Sequence, residues 1–138
     1  MNWKRIIGWS ALLMILANGV GVLSGVWVAH SHIDPETIDQ LVQRARLFRR
    51  AAIGLIAVVC YWRLAAGARS RRAWHVIAAF LLVQLIDMAL SLVLGAHVSE
   101  LFEPWGMLRS ALYALAGYGL SRLSPNNSFK PNPLRGSA

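Results

Sequence analysis

Cysteine, acidic residues and catalytic motifs are scarce in this 138-residue chain, and each shortage narrows the classes of function. The single cysteine, Cys60, excludes an intramolecular disulfide, and its apolar surroundings are typical of a small buried side chain. There is no Gly-rich phosphate loop after a strand and no serine with a base in the same layer. We therefore expect a protein that is not an enzyme and binds no cofactor.

Charged residues are also few, at 14% of the chain, whereas hydrophobic residues make up 57%. A soluble domain carries about 25% charged residues, so this composition indicates an integral membrane protein. The 14 Lys and Arg residues outnumber the six Asp and Glu residues, but they mostly flank apolar segments and form no basic face with interleaved aromatics. We expect contact with the lipid bilayer and no binding of nucleic acid.

Four apolar segments predict four membrane spans within residues 1–123, at about 6–29, 47–66, 75–98 and 105–121. Between the first two, residues 35–46 predict an amphipathic helix, because apolar residues recur there at helical spacing after a good helix start. The predicted fold class is all-α, an integral membrane four-helix bundle with a short amphipathic interfacial helix between spans 1 and 2.

The two ends of the chain carry further expectations. The first apolar segment is too long for a usual signal peptide, so we expect it to remain uncleaved, with cleavage near Ala29 or Ser31 as the alternative. Residues 124–138 hold three of the five prolines and little apolar content, which predicts a disordered tail. Segments on the N-terminal side of the membrane hold more Lys and Arg than those on the other side, which predicts a cell inner (plasma) membrane protein with both termini in the cytoplasm.

Polar residues near the middle of the spans form the main candidate site. Gln84, Asp87 and Ser91 share one helical face, because offsets of 3 and 7 residues fall within about 60° at about 100° per residue. A carboxyl at membrane depth costs at least about 2.5 kcal/mol, so Asp87 must face protein or water. Neighbouring spans offer partners at similar depth, and an Arg109 to Asp87 pair or a hydrogen bond from Tyr113 would satisfy the carboxyl. The whole cluster comprises Asn18, Gln84, Asp87, Ser91, Arg109 and Tyr113.

This cluster has two interpretations. Its members either hydrogen-bond across helices to fix their register, or they form an ion or proton relay centred on Asp87. The first makes the chain a multi-pass membrane protein of unassigned role, structural or partner-binding within the bilayer. The alternative makes it a small proton- or ion-coupled transporter.

Small residues predict where helices pack closely. Gly21 and Gly25 form a GxxxG pair in the first span, and Ala114 and Gly117 lie on a small-residue face of the fourth. Such faces pack within the bundle or against a partner, so we expect a homodimer or a membrane-protein partner.

A weaker pattern indicates a metal site. His30 and His32 end the first span, and His97 and Glu100 end the third on the same side of the membrane. Imidazole nitrogens with a carboxylate can ligate a divalent transition metal such as Zn²⁺, although the spacing is equally typical of the polar edges of spans.

Overall fold

The computed structural model describes residues 2–31, 35–68, 71–95 and 104–123. This part of the chain is all-α, as predicted, and contains four helices: α1 (Trp3–His30), α2 (Pro35–Ala66), α3 (Arg72–Val93) and α4 (Pro104–Leu123). The predicted amphipathic helix and second span together form the single continuous helix α2. The predicted tail, residues 124–138, lies outside the described residues.

Local sequence explains several helix ends. The side chain of Asn2 accepts a hydrogen bond from the backbone N–H of Arg5 and so caps the start of α1. Pro104 stands at the first position of α4, where its missing N–H costs nothing. After α3, Gly95 adopts a positive φ of 88°, a conformation that glycine reaches without a side-chain penalty.

Side chains of two arginines join the helices at one end of the bundle. The guanidinium of Arg5, in α1, donates hydrogen bonds to the carbonyls of Gly67 and Arg63 at the end of α2, over 2.6 and 3.1 Å. Arg72, at the start of α3, donates to the carbonyl of Ser121 near the end of α4, over 3.2 Å. Helices α1 and α3 therefore start at this end, which we call the closed end, and α2 and α4 finish there.

The buried core lies in the half of the bundle nearer the closed end. Helix α2 packs along α4 and α1, and α1 packs mainly against α2 and α3. The buried apolar cluster consists of Ile6, Leu13, Ala57, Cys60, Tyr61, Leu64, Ala65, Val76, Ala79 and Ala114. The other half, which we call the open half, is less tightly packed and contains a cavity.

The outer surface is strongly apolar. Only 17% of the most hydrophobic window of α1 and 11% of that of α3 are buried inside the bundle. Exposed side chains include Ile15, Val22 and Leu23 on α1 and Leu85 on α3, each at least 60% accessible. Among the described helices, α1 and α3 are long and apolar enough to cross a membrane, which weakly indicates association with one.

Candidate functional site

The open half of the bundle encloses a partly open cavity of about 500 Å³. Five of the six predicted cluster residues line it, and they come from three helices. Helix α1 contributes Asn18, α3 contributes Gln84 and Asp87, and α4 contributes Arg109 and Tyr113. Ser91, one turn beyond Asp87 on α3, is half-buried and does not line the cavity.

Helix α2 adds two cationic side chains that the cluster predicted from sequence did not contain. Arg49 and Arg50 line the same cavity as Arg109, so its described lining contains three arginines and one acidic residue, Asp87. Leu13 and Tyr61, both buried, line the cavity where it meets the core. The lining is therefore cationic overall, with an apolar floor.

A close contact between α2 and α4 sets the positions of the arginines. The ring of Tyr113 lies against Gly54, so closely that a Cβ atom at Gly54 would come within 2.8 Å of the ring. Because α2 and α4 run in the same direction, Arg50 and Arg109 each lie four residues, about 6 Å, before this contact on its open side. The tyrosine–glycine contact thus places Arg50 and Arg109 at the same level along the two helices.

The expected partner of Asp87 is not in place. Among the described residues, neither Arg109 nor Tyr113 forms an ion pair or hydrogen bond with Asp87, and Asp87 is exposed to the cavity rather than enclosed. The predicted Arg109 to Asp87 pair is therefore not formed, and both residues line the cavity. Asn18 instead donates a hydrogen bond to the carbonyl of Met14 on its own helix, over 2.8 Å.

The small residues of α4 and α1 have different surroundings. Gly117 is buried, and a Cβ atom there would come within 2.6 Å of the Tyr61 Cβ and 2.7 Å of the Val58 carbonyl. Ala114 is also buried, in the same core. A Cβ atom at Gly21 or Gly25 would meet no atom within 4 Å, so the GxxxG pair of α1 packs against no helix of the described chain.

Only one of the four candidate metal ligands lies within the described residues. His30 is exposed, and its Nδ1 lies 3.1 Å from the carbonyl of Val26 on its own helix. His32, His97 and Glu100 lie outside the described residues, and within those residues no group of three His, Cys, Asp or Glu side chains could hold a metal ion.

The closed end contains polar side chains that the sequence did not single out. His75 is buried, its Nε2 accepts a hydrogen bond from the backbone N–H of Asn2 over 3.4 Å, and its Nδ1 lies 3.1 Å from the carbonyl of Arg71. A carbonyl can only accept and the Asn2 N–H can only donate, so these two contacts match the tautomer with a hydrogen on Nδ1. The sequence does place this histidine at the edge of an apolar run. A buried imidazole needs hydrogen-bond partners, so its position could have indicated a polar contact between helices.

Comparison of the chain with protein families, with curated proteins and with solved structures finds no match. A function for this chain therefore has to be argued from its cavity, its charges and its surface.

Proposed function

We propose that this chain is a multi-pass membrane protein whose four helices form a bundle across the bilayer. The apolar exposed faces of α1 and α3 support this proposal, because a soluble bundle would bury helices of such hydropathy. Helices α2 and α4 pack along these two and complete the bundle as further spans. At 32 residues, α2 is about 48 Å long against a hydrocarbon core of about 30 Å, so its amphipathic first part extends beyond the core.

The closed end faces the cytoplasm of a cell whose inner membrane holds the protein. Basic residues are concentrated there, including Lys4, Arg5, Arg63, Arg72 and Arg122, and cytoplasmic ends of spans are enriched in Lys and Arg. A cytoplasmic reporter fused after residue 69 is expected to be active, as is a periplasmic reporter fused after residue 100. Activity of a periplasmic reporter after residue 69 would reverse the orientation.

Within this bundle, the chain acts as a small proton- or ion-coupled transporter that uses Asp87. The observation that carries this function is the cavity itself, which collects Asn18, Gln84, Asp87, Arg109 and Tyr113 from three helices. Asp87 has no ion pair or hydrogen bond with another described residue, so it is not committed to a structural pair. Ionisable groups inside a membrane domain that face a cavity are typical of ion and proton pathways.

Infrared difference spectroscopy of the protein in lipid nanodiscs tests this function. The spectrum of the wild type minus that of Asp87→Asn isolates the Asp87 carboxyl, and we expect its band to change reversibly as the pH of the buffer changes. Since Asp87 makes no hydrogen bond to the described chain, Asp87→Asn should accumulate and unfold like the wild type. A carboxyl locked in one protonation state throughout the range in which the protein stays folded would contradict a proton-coupled role.

A second candidate function is association with another copy of the chain through α1. It is favoured by the open space beside Gly25, because small residues let two membrane helices approach closely. Gly21, the other member of the pair, lines the cavity. Gly25→Leu is expected to convert a dimer into a monomer in nanodisc mass photometry. Gly19→Leu is the control, because Gly19 lies on the opposite face of α1 and a Cβ atom there also meets no atom within 4 Å; this variant should leave the dimer intact. A wild type that is monomeric at all lipid-to-protein ratios would exclude this association.

A further inference from the structure

The charges around the cavity are unbalanced. Arg49 and Arg50 from α2 and Arg109 from α4 line the same space, and Asp87 is the only acidic residue among the described residues that line it. None of the three guanidinium groups forms an ion pair or hydrogen bond with a described residue. Arginines in a membrane domain are costly unless an anion or water accompanies them, so this arrangement requires a counter-charge.

We propose that the cavity binds an oxyanion of the phosphate type, held by Arg49, Arg50 and Arg109. This inference rests on the proposed transport function and names the class of its ligand. Guanidinium groups are planar forks of N–H donors that match phosphate oxygens in pairs, and three of them outweigh the single carboxylate. At about 500 Å³ the cavity has room for a phosphate group together with a small organic part.

The position of Asp87 couples anion binding to protonation. The groups that share the cavity with Asp87 are Arg49 and Arg50 from α2 and Arg109 and Tyr113 from α4, while α1 contributes the uncharged Asn18. Protonation of Asp87 removes the one negative charge that repels the anion, so the anion binds more tightly when Asp87 is neutral. By linkage, a bound anion favours the protonated form of Asp87, and proton and anion therefore occupy the cavity together.

The phosphate group has two sources, a free solute or the headgroup of an anionic lipid, and two binding measurements distinguish them. Sulfate serves as the free probe because its charge is constant across the working pH range, and its binding is measured by titration calorimetry in phosphatidylcholine nanodiscs. Retention of phosphatidylglycerol from mixed nanodiscs is measured by native mass spectrometry. Saturable sulfate binding identifies a solute site, and selective retention of phosphatidylglycerol alone identifies a lipid site.

Matched variants test whether the cavity arginines are responsible. Arg109→Gln and the double variant Arg49→Gln with Arg50→Gln should each weaken binding about tenfold or more. The double variant Arg44→Gln with Arg46→Gln removes the same charge from exposed positions on α2 outside the cavity and should leave binding unchanged. Asp87→Asn should bind more tightly than the wild type at high pH and should lose the pH dependence.

Three results would overturn the proposal. They are absence of binding in both measurements, equal losses in the cavity and control variants, and unchanged affinity in Asp87→Asn. The infrared titration of Asp87 is independent of these measurements. If Asp87 titrates but no anion binds, the transport proposal stands and the proposed ligand class is refuted. If an anion binds but Asp87 stays in one protonation state, the ligand class stands and the proton-coupled role is refuted.

Discussion

Individual glycines determine how closely α2 and α4 approach. A Cβ atom at Gly54 would press on the Tyr113 ring, and one at Gly117 would meet the Tyr61 Cβ and the Val58 backbone. Backbone atoms cannot move aside as a flexible side chain can, so the contact at Gly117 is the stricter of the two. These glycines also position the cavity, because the Tyr113 contact sets the level of Arg50 and Arg109.

Gly117→Ala should therefore destabilise the bundle. Overpacking costs about 1–3 kcal/mol, which outweighs the gain of about 0.5–1 kcal/mol from replacing glycine in a helix. Gly119→Ala on the same helix meets no atom within 4 Å and should be neutral or slightly stabilising. Unfolding free energies measured in detergent check this, and equal effects of the two substitutions would show that α4 does not pack on α2 through Gly117.

Arg5 has a similar role at the closed end, where it satisfies two carbonyls at the end of α2. Arg5→Ala should lower the free energy of unfolding by about 1.5–3 kcal/mol, because hydrogen bonds that involve a charged group stabilise by about that amount. Arg5→Lys should recover only part of the loss, since an ammonium group lacks the fork that reaches both carbonyls. Lys4→Ala is the control, because Lys4 is the exposed neighbour of Arg5. If Lys4→Ala lowers the free energy of unfolding as much as Arg5→Ala does, the effect comes from the charge and not from the hydrogen bonds.

At the scale of the helices, α1 is an integral part of the bundle. Its first half buries Ile6, Ser10 and Leu13 in the core, whereas its second half is largely exposed. The same helix contributes Arg5 to the closed end and Asn18 to the cavity wall. Loss of this segment would remove one wall of the cavity and part of the core.

The mature protein should therefore retain α1. Intact mass spectrometry of the chain purified from membranes is expected to give the full mass, and an N-terminal tag should stay with the membrane fraction. A chain that begins near Ser31 would show that the first apolar segment is a cleaved signal peptide, and the bundle described above would then not be the mature form.

For the whole molecule, periodicity predicted the faces of each helix but not which helices are neighbours. The shared face of Gln84 and Asp87 follows from their spacing, and both residues line the cavity. Within α2 alone, Arg49 and Arg50 indicate the edge of a span, because they stand next to an apolar run. Their place in the cavity depends on the pairing of α2 with α4 through Gly54 and Gly117, and glycine spacing alone does not identify the partner helix.

The cavity in the open half was also not predictable from sequence. Depth along the spans puts Tyr113 level with Asp87 and Arg109 about one turn nearer the outer surface, which predicts either an Arg109 to Asp87 pair or a hydrogen bond from Tyr113. In the described structure the two residues form no pair and both line the cavity. Small residues and long apolar runs determine local packing, whereas the space left between helices depends on how all four pack at once.

Our central claim is that one side of α3 faces lipid and the other side faces a water-filled cavity. The accessibility of cysteines placed on the two sides of this helix tests the claim most directly. In a Cys60→Ala background, Gln84→Cys and its neighbour Leu85→Cys are exposed to an anionic methanethiosulfonate reagent in native membranes. Gln84 is half-buried at the cavity and Leu85 is 60% exposed on the outer surface. A thiol must ionise before it reacts with the reagent, and contact with lipid prevents this ionisation. We therefore predict that Gln84→Cys is labelled in the folded protein and that Leu85→Cys is labelled only after the protein is denatured. Faster labelling of Leu85→Cys in the folded protein would contradict the membrane bundle, and failure of Gln84→Cys to react would contradict the water-filled cavity.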